Sequence, residues 1–291
     1  MNNIRIPWWI KLSIKIVLSK LPVNYSIWKK LGLFQHGSME APEYAEQVFL
    51  RHFNRFKKSK YFVEKYRVLE LGPGDTLYTA LIAKAFGASS SVMVDAVDVA
   101  NKDIDLYQQF ASYMKIKGYK LMDIDRHILF DKMLASLNAE YYHNGLSDLK
   151  SIKSSSVDFI FSHAVLEHVR VDEFDDHFKE MFRVLKPNGF MSHRVDFKDH
   201  LGGSLNNLRF TTKTWESSLF WNSGFYTNRL RALDLYNSLQ NSGFESTILQ
   251  EDRWDNMPLE RNRLSKEFDK YTDDQLLISG IDVISVKRKP Q

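Results

Sequence analysis

Four short stretches of the 291-residue chain carry side chains that can do chemistry. The first is Glu70-Leu71-Gly72-Pro73-Gly74-Asp75-Thr76, with an acid two residues ahead of a glycine pair. The second is Asp95, about 20 residues past the glycines, where a carboxylate can accept both hydroxyls of a ribose. The third is Ser162-His163, followed closely by Glu167-His168. The fourth crowds His193, Asp196, Asp199 and His200 into one segment. Glycines lack Cβ atoms, so backbone and ligand can approach closely, and the first two stretches read together as a nucleoside site. Histidine can give or take a proton at neutral pH, and a neighbouring carboxylate can orient its ring. The same residue types can also ligate a divalent ion.

The elements that must position these groups follow from the apolar pattern. Val68, Leu69 and Leu71 form a buried strand that enters the glycine turn. Thr76 is placed to cap a helix over 77–86, which Gly87 ends. Ser91 to Ala96 is a second short strand, with Asp95 at its end and Asp98 beyond it in a loop. A dinucleotide site would want a third glycine, which is absent, and Asp75 would repel a pyrophosphate. Glu70 suits a ligand with a positive amino group instead.

Further on, the pattern predicts helices over 39–58, 103–117 and 131–138, and a third strand at 141–143 followed by the loop 144–148. A fourth strand spans 156–163 and a helix spans 174–185. Lys186-Pro187-Asn188-Gly189 ends that helix ahead of a fifth strand at 190–195. Residues 201–228 form an excursion with Phe210, Trp215, Phe220, Trp221 and Phe225. Aromatic faces there could stack on sugar rings and Arg229 or Arg231 could hold anions; the alternative is a small satellite core. A helix over 229–242 and strands at 243–249 and 281–286 complete the chain, with a charged helical stretch over 257–277 between them.

The glycine stretch closely resembles the E/D-x-G-x-G motif of class I S-adenosylmethionine (SAM)-dependent methyltransferases. Residues 156–169 resemble the S-x-D-x-I-x-S-x-x-V-L-E-H-V run of many small-molecule members, and Leu185 to Gly189 resembles their L-K-P-x-G turn. The resemblance covers about residues 67–195. It implies an α/β fold with a Rossmann-like, seven-stranded, mostly parallel sheet and a final antiparallel hairpin, plus an N-terminal helical extension. By this likeness residues 1–60 are an extension or lid, and 61–291 are the methyltransferase domain with a substrate insertion at about 201–228. His36, Ser38 and Met39 could contribute to that lid. S-adenosylmethionine is the implied cofactor. Glu70 would hold its amino group, while Gly72, Pro73, Gly74, Asp75 and Thr76 wrap the methionine moiety. Asp95 and Ala96 would meet the ribose, and Leu146 or Asp148 the adenine, where Asn144-Gly145 departs from the common acid. Ser162 and His163 would lie near the methyl group.

Methyl transfer to a hydroxyl needs an in-line arrangement and a base. His193 oriented by Asp196 is the first expectation, followed by His168 and His163. Some methyltransferases bind a divalent ion through E-x-x-E-H, but Ala164 stands where the first glutamate would be, so the ligand set is incomplete unless Asp196, His193 or His200 completes it, and no metal is assigned. From "LPVNYSIWKKLGLFQHGSM" through "SHRVDFKDHL", the chain resembles methyltransferases found with bacterial surface-polysaccharide synthesis. That implies O-methylation of a sugar or glycan, such as a lipid-linked one. An RNA or other small-molecule methyltransferase and a non-catalytic SAM-fold assembly partner are the alternatives.

Composition narrows these choices. With no cysteine, disulfides, thiolate metal sites and cysteine nucleophiles are excluded, which fits the cytoplasm. Forty basic against 36 acidic residues, a net +4, is too even to argue for a nucleic-acid partner. Pro7 to Pro22 brackets a helix too short and too charged to span a bilayer, and no cleavage site follows it. Lys11 and Lys15 make a polar stripe beside Trp8, Trp9 and Ile14. Two placements fit: docking on the main domain or a second subunit, which the pattern favours, or peripheral contact with the inner face of a membrane. The oligomeric state stays open.

Overall fold

Runs of Val, Leu, Ile and Phe without alternation mark strands covered on both faces. In the computed structural model, which describes residues 7–19 and 39–288, they form the centre of one sheet. β1 (Arg67–Leu71), β2 (Ser90–Val94), β3 (Ala139–Tyr142), β4 (Val157–His163) and β5 (Leu185–Asp196) are parallel. β6 (Phe244–Arg253) and β7 (Ile278–Lys287) run antiparallel at one edge, giving the order β3-β2-β1-β4-β5-β7-β6. This is the expected Rossmann-like α/β sheet with its final antiparallel hairpin. The chain steps outward from β1 to β3 and then crosses to β4 on the other side of β1. Such a reversal leaves a crevice beyond the carboxyl ends of the two central strands. Leu71 pairs with Ser162 there, so the glycine turn and His163 emerge side by side.

Helices cover both faces. α1 (Trp8–Ser19) lies apart from the sheet, whereas α2 (Pro42–Lys58) packs on one face with α3 (Thr79–Ala85), α4 (Ile104–Ile116) and α5 (Phe130–Ser136). Phe49, Phe53 and Phe56 recur at helical spacing on α2 and meet Phe159, Phe161 and Phe190 of the strands. Fully burying one such ring contributes roughly 1.5–3 kcal/mol. α6 (Leu146–Ser151) and α7 (Val171–Val184) cover the other face. The short α8 (Thr212–Trp215) and α9 (Ser218–Trp221) belong to the 201–228 excursion, α10 (Ala232–Asn241) joins α7 on its face, and α11 (Asp273–Leu276) precedes β7.

Several elements differ from the sequence expectation. α3 begins at Thr79, and Thr76 does not cap it; its hydroxyl donates instead to the Met39 carbonyl. β3 starts two residues earlier than predicted, and Leu146 opens a short helix. The Lys186 to Gly189 turn is a bulge inside β5: Leu185 pairs with Val157 and Phe190 with Phe159. Residues 257–277 are not one helix. They form two 3₁₀ turns and α11 around a satellite core of Leu205, Leu208, Leu264, Phe268 and Tyr271, because their apolar spacing is irregular.

α1 docks: Trp8, Leu12 and Ile16 pack against the aromatic cluster of the excursion, with the Trp8 and Phe210 rings edge-on at 6.1 Å. Trp9, Ile14 and Val17 remain exposed. The expectations for 20–22, His36 and Ser38 lie outside the described residues. Among the described residues no helix is long and apolar enough to cross a membrane.

Candidate active site

The carboxyl ends of β1, β2 and β3 are sewn together by backbone. Gly72 N–H donates to the Val94 carbonyl at 2.8 Å, Asp95 N–H to Tyr142 at 2.9 Å, and Gly145 N–H to Asp95 at 2.8 Å. Gly72 adopts φ +67°, and a Cβ there would stand 2.4 Å from a Val165 methyl, so the position requires glycine. Gly74 N–H donates to Asp95 Oδ2 at 3.1 Å, and Ala96 N–H to Oδ1 at 2.7 Å. Asp95 is thus fixed against the turn and remains half-buried, with lone pairs to spare. Pro73, Asp75 and Thr76 are buried in the turn, and the Asp75 carbonyl accepts from Asn101 N–H.

Glu70 sits beneath this turn on the α2 face. It is buried, and a hydrogen bond from Thr79 reaches its carboxylate, yet Oε2 has no partner among the described residues. Burial, and then the charge of Asp95, push its pKa up to about 8. A buried carboxyl with an unused oxygen lacks only a donor or a cation.

The comparisons with known proteins agree with that geometry. Residues 69–192 match the family model described as a methyltransferase domain. No curated protein matches the chain. Among solved structures it is similar to a SAM-dependent methyltransferase from Methanosarcina mazei, at 19% identity over 79% of this chain and 96% of that one, with a TM-score of 0.48. A SAM-dependent methyltransferase from Archaeoglobus fulgidus is 14% identical, over 91% and 100% of the two chains, with a TM-score of 0.45. An arsenic(III) SAM methyltransferase from Chlamydomonas reinhardtii is 17% identical, over 78% and 64%, with a TM-score of 0.45. Likeness at this level speaks to the fold alone.

S-adenosylmethionine is the cofactor that the methyltransferase-domain match implies, and the residues present fit it. The orphaned Glu70 oxygen matches its cationic amino group, and Asp95 matches its ribose diol. Leu146 is half-buried at the start of α6. Asp148 is occupied, since its Oδ2 accepts from the amides of His143 and Asn144.

The expected His193–Asp196 pair does not form. Residues three apart on a strand point to opposite faces. His193 is fully buried on the face away from α2, 2.8 Å from Ser162 Oγ through Nδ1, and burial pushes its pKa down to about 3. Ser162 is likewise fully buried, with its hydroxyl against His193 Nδ1. Asp196 instead stands beside Glu167, whose Oε1 accepts from its amide at 3.3 Å. Burial, and then Asp196, push the Glu167 carboxyl up to about 8. Asp199 accepts four hydrogen bonds from Leu201, Gly202 and Asn206 and so shapes the next turn.

Two other histidines reach the crevice. His168 is exposed on the 3₁₀ turn Leu166–His168. Its Nδ1 lies 3.0 Å from the Tyr226 carbonyl, which can only accept, so Nδ1 carries the proton and Nε2 is the accepting nitrogen. Asn228 holds that turn, donating from its side chain to Leu166 and Val169 and from its amide to Glu167. His200 stacks near His168 with ring centroids 4.8 Å apart. His163 is half-buried at the end of β4, with Nδ1 3.2 Å from His52 Nε2 on α2. Burial, then Arg51 and Arg194, pull its pKa down to about 4. Sequence reasoning missed His52; the available signal was a histidine on the Val48-Phe49-Phe53-Phe56 stripe.

The 201–228 aromatics resolve as a satellite core, with Phe210 packed against Trp215 and Phe220. Arg229 donates to the Phe210 carbonyl and Arg231 to those of Phe197, Leu276 and Ile278, so both are structural. No group of three potential metal ligands converges among the described residues.

Proposed function

We propose that this protein transfers a methyl group from S-adenosylmethionine to a hydroxyl of a sugar or glycan during assembly of a cell-surface polysaccharide. The observation that carries the methyl-transfer reading is the orphaned, buried Glu70 carboxyl beneath a glycine turn that is itself pinned to Asp95. The sugar reading rests on the sequence resemblance. His163, His168 and Asp196, at or just beyond the carboxyl ends of β4 and β5 and not fully buried, support it, since a hydroxyl-rich acceptor needs such hydrogen-bond partners.

Glu70 would hold the amino group, Asp95 and Ala96 the ribose, and Leu146 the adenine side. When bound, the cofactor supplies a methyl carbon that a hydroxyl oxygen attacks as the carbon–sulfur bond breaks. The hydroxyl proton then needs a base. His168 fills that role best, because it is exposed just beyond the carboxyl end of β4 and the Tyr226 carbonyl orients its ring by accepting from Nδ1. Residues 1–60 would act as an extension, with the exposed Trp9, Ile14 and Val17 of α1 facing an inner membrane surface that carries a lipid-linked acceptor.

The test is methyl transfer from radiolabelled S-adenosylmethionine to lipid-linked and released surface glycans, with total RNA in parallel. Label in glycan alone supports the reading. Label in RNA alone, or in neither, overturns it.

A further inference from the structure

A chain of buried polar groups runs from β7 to His163 on the α2 face. Arg55 bridges Asp282 at 3.0 Å, Arg55 Nη1 lies 3.3 Å from Ser192 Oγ, and Ser192 Oγ lies 2.8 Å from His52 Nδ1. His52 Nε2 then lies 3.2 Å from His163 Nδ1. His52 and Ser192 are both fully buried. Around them stand Arg51 from α2, Arg194 and His193 from β5, Asp282 from β7 and the Tyr44 ring from α2.

The direction of every proton in this chain follows from donor counts. Arg55 is always charged and only donates, so it takes one lone pair of Ser192 Oγ. Among the described residues the remaining partner of that hydroxyl is His52 Nδ1. A buried O–H without an acceptor loses its hydration with nothing in return, so the Ser192 hydroxyl donates to His52 Nδ1. His52 must then carry its proton on Nε2 and donate to His163 Nδ1. His163 is left with its own proton on Nε2. Burial and the arginines keep both rings neutral at pH 7. His163 therefore has the opposite tautomer from His168.

We infer that His163 is a neutral N–H donor that binds an oxygen of the methyl acceptor, and that His52 is the positioning residue that fixes it so. His163 pairs with Arg194 across the strands, and Arg194 with Asp282, so the donor sits in a polar row at the carboxyl edge of the sheet. A carboxylate, phosphoryl or hydroxyl oxygen shares the required chemistry. This inference rests on the methyl-transfer reading for its ligand but not for its geometry.

The test is a two-bond ¹H–¹⁵N correlation spectrum of histidine-labelled full-length protein from pH 6 to 9, assigned with His163→Gln and His52→Gln. His163 should be neutral with the proton on Nε2, and Ser192→Ala should convert it to a mixture of tautomers. A His163 proton on Nδ1 in the unaltered protein would overturn the inference, whatever the acceptor. In the glycan assay, His163→Leu should raise KM for the acceptor about tenfold while the acid limb of the pH profile stays. A base at that position would instead lower kcat by about 10²–10⁴ and remove the limb. Titration with S-adenosylhomocysteine separates the two levels: if the unaltered protein fails to bind it, the methyl-transfer reading falls while the tautomer result still stands or falls by itself.

Discussion

At the scale of the residue, environment sorts groups that look alike in sequence. Glu70 and Glu167 are both pushed up to about 8, chiefly by burial. For Glu70 the folded value exceeds the ordinary 4.5, so between about pH 4.5 and 8 the folded apo protein keeps a proton that the unfolded chain has lost. Stability therefore falls as pH rises through that window, and Glu70→Gln should remove that part of the fall. Urea unfolding of the two proteins at pH 5 and pH 8 checks this: the variant should gain relative to the unaltered protein at pH 8. Binding a cationic amino group needs the ionised carboxylate, so ligand binding at pH 7 should release close to one proton, measurable by calorimetry in buffers of different ionisation enthalpy. His168→Gln should lower kcat by about 10²–10⁴ and leave S-adenosylhomocysteine affinity unchanged. Of the four histidine and aspartate candidates, sequence spacing could not separate the accessible from the buried. His193 and Asp196 look adjacent along the chain, and the pleat sends them to opposite faces.

At the scale of the element, the site depends on close approaches that only certain residues allow. Gly72→Ala combines a positive φ with a Cβ against Val165, so it should destabilise the protein by about 1–3 kcal/mol and weaken cofactor binding. Gly72→Ala with Val165→Ala should recover part of the stability, read as the urea midpoint. Arg231→Met removes a buried guanidinium that ties β5, α11 and β7 through three carbonyls and should cost about 2–4 kcal/mol. The strands and the glycine turn were legible because apolar runs ending in glycine or an acid have one local meaning. The Thr76 cap and the 257–277 helix were not. Thr76 is taken by a carbonyl 37 residues away, and the later segment folds around its own small core.

At the scale of the molecule, one switch point organises everything. The order β3-β2-β1-β4 brings Glu70, Asp95 and His163 to one crevice although they are spread along the chain. α1 docks on the aromatic cluster of the excursion and leaves Trp9, Ile14 and Val17 uncovered. Full-length protein should co-sediment with anionic vesicles, and Trp9→Ser with Val17→Ser should reduce that about tenfold without moving the unfolding midpoint. Unchanged sedimentation would exclude this face as the membrane contact. The central claim is the cofactor site, and calorimetric titration with S-adenosylhomocysteine tests it most directly, with NAD in parallel and Glu70→Gln and Asp95→Ala as controls. One-to-one binding of S-adenosylhomocysteine alone, lost or sharply weakened in both variants, is the predicted result. No binding, or binding that both variants retain, would contradict it.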